Sequence, residues 1–127
     1  MNIRELLVLS TSVLAASVPG HAVADDMQRL YLQEAEIEID PVQLEAYKAA
    51  VTEQIEAATR VEPGVLVLYA VSEKDNPARV GVFEIYRDVD AYRAHLEIVH
   101  FKKYKATTAN MVRSLKHAWR EAEVTAL

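Results

Sequence analysis

Val65-Leu66-Val67-Leu68-Tyr69-Ala70-Val71 is the stretch whose reading decides the fold. It follows Pro63-Gly64, is rich in valine and shows no polar alternation. A short, unbroken apolar run after a turn signal predicts a strand buried on both faces. Downstream, Ser72 to Ala78 carries Asp75-Asn76-Pro77, a turn, and Arg79 to Tyr86 is strand-like again, so the two runs form a hairpin. Upstream, Gln28 to Ile39 alternates. Tyr31, Gln33, Ala35, Ile37 and Ile39 share one face; Leu30, Leu32, Glu34, Glu36 and Glu38 share the other.

Helices fill the gaps. Asp40-Pro41 pairs an N-cap acceptor with a proline suited to the first helical position. Leu44, Tyr47, Val51, Ile55 and Ala58 then recur at steps of three and four, giving one apolar stripe that should end near Arg60. Asp88 can cap a second helix with Tyr92, His95 and Val99 on one stripe. After a break near Glu97 to His100, the spacing of Phe101, Tyr104, Thr108, Met111 and Leu115 continues helically, and Lys116 to Thr125 alternates as the last strand. The order is strand, helix, strand, strand, helix, strand: an α+β chain of the ferredoxin-like βαββαβ type with an antiparallel sheet. Two helices cover one face of such a sheet. The apolar second face of Val65 to Val71 calls for another partner, and a second copy of the chain, as a homodimer, supplies it most simply.

The 127 residues are room for one domain. With 51% hydrophobic and 26% charged residues, the chain is neither disordered nor of low complexity. A net charge of -5 with no basic block beyond Lys102, Lys103 and Lys105 argues against nucleic acid as a partner. The absence of cysteine excludes disulfides, thiolate metal sites and cysteine nucleophiles. Residues 1–24 read as a secretory signal: Arg4, an apolar run from Leu6 to Val18, the breaker Pro19-Gly20, and Ala22-Val23-Ala24 as a cleavage site. Residues 25–127 would then be the domain, periplasmic or secreted. The apolar run falls short of the about 20 residues of a membrane span, so no stable membrane insertion is expected once the signal is removed.

Glu62-Pro63-Gly64 before a strand, then Phe83-Glu84-Ile85-Tyr86, Asp88, Ala91-Tyr92, His95 and His100-Phe101, resembles the antibiotic biosynthesis monooxygenase (ABM) family, quinol monooxygenases included. The resemblance spans Tyr31 to Val124. It implies a ferredoxin-like fold dimerised into an α+β barrel. It also implies a cofactor-free oxygenation of quinols or anthrones, without metal or flavin; other members degrade haem or isomerise small carbonyl metabolites. Where the anthrone oxygenases have an Asn, an aromatic (usually Trp) and a Tyr, this chain has Val82, Tyr86 and Tyr92. The haem-degrading branch has a histidine shortly after a Phe-Lys pair; Phe101-Lys102-Lys103-Tyr104-Lys105 has none.

An oxygenase of this kind needs an electron-rich ring, a base to remove its proton, and donors for the developing oxyanion. The expected substrate is a small aromatic or carbonyl compound. His95 shares its stripe with Tyr92, and imidazole is the side chain that exchanges protons near neutrality, so His95 is the candidate base or else a core histidine bonded to a backbone carbonyl. Tyr86 and Tyr92 complete the catalytic set as oxyanion donors or stacking surfaces, or as plain core aromatics. His100 either caps the following helix or lines the pocket mouth. Glu84, inside an apolar strand, needs a partner: an acid-base role or a bond to an Arg or Tyr. Val82 and Phe101 would line the substrate site with His100 and Glu84. No metal site is expected, because His95 and His100, five apart, do not stack on one helical face and His117 beside Trp119 lacks a third ligand. An isomerase, another small-molecule enzyme on the same scaffold and a non-catalytic dimeric binding module are the alternatives.

Overall fold

A computed structural model describes residues 29–122 and 125; the expected signal, residues 1–24, lies outside the described residues. Four strands form one antiparallel sheet: β1 (Leu30–Ile39), β2 (Val65–Ser72), β3 (Arg79–Tyr86) and β4 (Val112–Ala122), in the order β2-β3-β1-β4. The helices α1 (Leu44–Val61), α2 (Val89–Glu97) and α3 (Val99–Thr108) form the second layer. This is the ferredoxin-like βαββαβ arrangement.

The caps work as the sequence suggests. The Asp40 carboxylate accepts from the Val42 amide, and a short 3-10 turn (Pro41–Gln43) leads into α1. The Asp88 carboxylate accepts from the Ala91 amide at 2.7 Å and starts α2. Between α2 and α3 the backbone of Ile98 is extended (φ -78, ψ 146), which breaks the helix inside the expected window. Ile98 and Val99 are both β-branched, which lowers the cost of leaving the helix there. Gly64 answers to space: a Cβ there would lie 2.6 Å from that of Ala91, so only glycine lets the β2 entry pass under α2.

One expectation needs correction. The last strand begins at Val112, and Leu115 belongs to it rather than to the preceding helix. Leu115 sits opposite Ile37, so it fits the period of the strand as well as that of the helix. The run Val65 to Val71 is an edge strand covered on one face within the chain; Leu66, Tyr69 and Val71 are about half exposed. A register shift between Val65 and Val67 turns both Val65 and Leu68 toward the helices and leaves Val67, Tyr69 and Val71 on the open face.

Between sheet and helices lie two apolar clusters. One joins Ile37, Ile39, Tyr47, Val51 and Val80; the other joins Tyr31, Ala58, Val65, Leu68 and Tyr86. Polar side chains are also buried in this layer, among them Gln33, Gln54, Glu62, Glu84 and His95. Buried polar groups cost stability unless bonded, so their partners show what they are for.

Candidate functional site

A cavity of about 320 Å³ lies between the sheet and the helices. Its floor is set by the strand register. Glu84 of β3 pairs with Gln33 of β1, which pairs with Trp119 of β4; one row along, Val82 pairs with Ala35 and Ala35 with His117. The roof is Val51, Gln54 and Ile55 of α1, with Tyr92 and Leu96 of α2 and Phe101, Tyr104 and Thr108 of α3. Lys105, Ala109, Val112 and Leu115 line the side toward β4, a strand that the helices leave uncovered. The make-up is that of a small-ligand site: mostly apolar walls with a few convergent polar groups.

Glu84 is the acidic group of the wall. It is buried, and its Oε1 accepts from the Tyr86 hydroxyl at 2.7 Å, the tyrosine bond that its place in an apolar strand called for. Burial pushes the Glu84 carboxyl above its ordinary value, against the Tyr86 bond and the nearby histidines, which pull it down. Burial and then the Glu84 charge push the Tyr86 phenol far up, so Tyr86 stays a donor. Tyr92 is raised in the same way, by burial first and Glu84 second, with the Gln33 amide acting against both. The Tyr92 ring stacks on Tyr31 at 4.6 Å and meets Tyr86 edge-on at 5.3 Å, which fixes the orientation of its hydroxyl.

Of the residues singled out from sequence, Val82, Glu84, Tyr92 and Phe101 line the cavity; Tyr86, His95 and His100 do not. Tyr86 stands behind Glu84. His95 is completely buried, and both of its ring nitrogens are engaged. Nδ1 meets Glu62 Oε2 at 2.9 Å, and Nε2 meets the Gln54 amide at 3.0 Å. Its ring does not line the cavity, and it meets two side chains rather than a backbone carbonyl. His100 does not cap α3, whose first residue has no side-chain cap. Its Nε2 lies 2.5 Å from the same Glu62 oxygen. Sequence spacing set His95 and His100 apart, whereas the break at Ile98 brings them to one carboxylate. The two histidines, expected not to stack on one helical face, do converge. Gln33, Gln54, Tyr104 and His117 are cavity groups that the sequence reading passed over. His117 could have been found, since it shares its strand face with the apolar Leu115 and Trp119.

The sequence model of the family described as "Antibiotic biosynthesis monooxygenase" matches residues 30–107. A solved structure from Bacteroides thetaiotaomicron, described as a "putative antibiotic biosynthesis monooxygenase", is 46% identical. The match covers 77% of this chain and 90% of that one, with a TM-score of 0.68. Proteins given the same description from Nitrosomonas europaea (24% identity, 71% and 95% coverage, TM-score 0.68) and Caulobacter crescentus (18%, 79% and 93%, 0.69) share the fold. No curated protein matches the chain.

Proposed function

Because the chain belongs to the antibiotic biosynthesis monooxygenase family, we propose that its cavity oxygenates a small hydroquinone or polyphenol with dioxygen. The observation that carries this reading is Glu84, a buried carboxylate whose proton affinity is raised, set in an apolar wall beside the Tyr92 phenol. Glu84 takes the proton of a ring hydroxyl, and the resulting phenolate passes one electron to dioxygen. Superoxide and the ring radical combine at the neighbouring carbon as a peroxide anion. As the O–O bond breaks, the proton on that carbon and the proton held by Glu84 both pass to the departing oxygen, which leaves as water. A hydroquinone and one dioxygen become a hydroxyquinone and one water, and the ring supplies all four electrons. Tyr92, Gln33 and Gln54 offer the donors for the phenolate and the developing peroxide.

Oxygen uptake with a panel of hydroquinones tests this directly, with hydroxyquinone and water as the expected products. Turnover without oxygen uptake would replace it with an isomerase. Ligand-induced melting shifts without any turnover would make the cavity a binding module.

A second copy of the chain is the proposed cover for the open sheet face. Tyr69, Val71 and Phe83 form its apolar half, while Glu34, Glu36, Arg79, Lys116 and Arg120 form a charged half of both signs. A two-fold axis places such a surface against itself.

A further inference from the structure

We propose that Glu62, His95 and His100 form a binding site for one divalent first-row cation, zinc foremost, on the opposite side of Gln54 from the substrate cavity. Three elements bring one donor each: the C-terminal cap of α1, the last turn of α2 and the first turn of α3. The donor atoms all lie within 4.8 Å of one another. Both imidazoles aim a nitrogen at the same Glu62 oxygen, at 2.9 and 2.5 Å. Neighbouring donors around a tetrahedral cation held at about 2.0–2.2 Å sit about 3.3–3.6 Å apart, so an outward shift of the carboxylate by about 1 Å admits the ion.

The charge of the site points the same way. The Glu62 side chain is 7% exposed, and among the described residues its ionic partners are these two imidazoles, with no Lys or Arg. A buried carboxylate needs a compensating positive charge, and two neutral imidazoles with one carboxylate are the donor set that suits zinc and its neighbours. An imidazole ligates a metal through an unprotonated nitrogen, so each ring has to carry its proton on its far nitrogen. For His95 that nitrogen faces the Gln54 amide at 3.0 Å, and the amide, turned over, presents its oxygen as the acceptor. A ligand histidine oriented by an outer hydrogen-bond partner is the usual support of a metal site. Entry is from the outer groove of the helices, where Ala46, Ala49 and Ala50 leave room beside His100, the most exposed member of the three. The ion would tie the end of α1 to the α2–α3 break and would fix the amide that Gln54 shows to the cavity.

The test uses full-length protein stripped with a chelator and titrated with Zn²⁺ by calorimetry, and with Co²⁺ by visible absorption. The expected result is one ion per chain, a raised melting temperature, and visible Co²⁺ bands of a low-coordinate nitrogen and oxygen site. His100→Ala and Glu62→Gln should abolish binding, and Gln54→Leu should weaken it by about 10–100-fold. His100→Asn, with an unchanged dichroism spectrum, separates loss of the site from loss of the fold. Absence of stoichiometric binding overturns the proposal. So does binding that survives His100→Asn, or binding that disappears in His117→Ala.

Discussion

Glu84 and Tyr86, two residues apart on one strand, are hydrogen-bonded to each other, the phenol donating to Oε1 at 2.7 Å. Side chains at i and i+2 share a strand face, so the pair turns together toward the helices. The bond occupies Oε1, and the carboxylate still lines the cavity. The tyrosine bond thus holds down a proton affinity that burial raises.

Glu84→Gln should lower oxygenation by about 10²–10⁴-fold while preserving the fold. The pH dependence has a definite sign. The folded-state value of Glu84 is raised above the ordinary 4.5, so its contribution to stability is complete below that value and is lost as pH rises through the folded value. Wild-type melting temperature should fall relative to the Gln variant from about pH 4.5 upward, and activity should rise over the same interval as the base ionises. Parallel melting curves at all pH values would remove Glu84 from this role.

Tyr86→Phe should move the acid limb of the activity profile to higher pH. The lost bond is one that holds the Glu84 carboxyl down against burial, so the base ionises later. A pH–rate series on the two proteins checks this; an unchanged limb with a uniformly lower rate would instead make the Tyr86 hydroxyl part of the chemistry.

His95→Ala should act on stability first. It empties a fully buried site and removes a partner from both Glu62 and Gln54, at a cost of about 3 kcal/mol or more. Denaturant melts measure the loss. A variant of wild-type stability with an activity loss of several orders of magnitude would restore His95 as a base acting on substrate.

Tyr69→Lys should convert a dimer into a monomer. Tyr69 is half exposed, pairs with Phe83 on the open sheet face, and its ring lies 5.6 Å from that of Phe83. An uncovered apolar half there would approach or exceed the about 300–600 Å² of the largest patch on ordinary monomers. Sedimentation of both proteins at micromolar concentration is the check, and a monomeric wild type would contradict the proposed cover.

The elements were legible because period two and period 3.6 separate cleanly in β1 and α1. At Leu115 they do not: four residues after Met111 and opposite Ile37, it satisfies both. The cavity was half legible. Glu84 stood out as a charge in an apolar strand, and Tyr92 through its stripe. Glu62 did not, because Glu62-Pro63-Gly64 reads as the end of a helix and its burial depends on α2 crossing above. His95 and His100 would point about 140° apart on one continuous helix. Their meeting depends on the extended backbone of Ile98, a break visible in sequence whose geometric result was not. Gln54 was hidden by the alanines around it.

The sheet order also sets a timetable for folding. Among the described strands β1 is synthesised first, yet its neighbours are β3 and β4, which begin at Arg79 and Val112. While the ribosome is still making α1 and β2, β1 has neither of these partners, and its second edge waits for β4. Such long-range closure slows folding and leaves unpaired strand edges open to other chains in the meantime. A nascent chain built this way would gain from chaperones or from dilution until β4 arrives. Loss of that strand would therefore harm solubility well before it touched the chemistry.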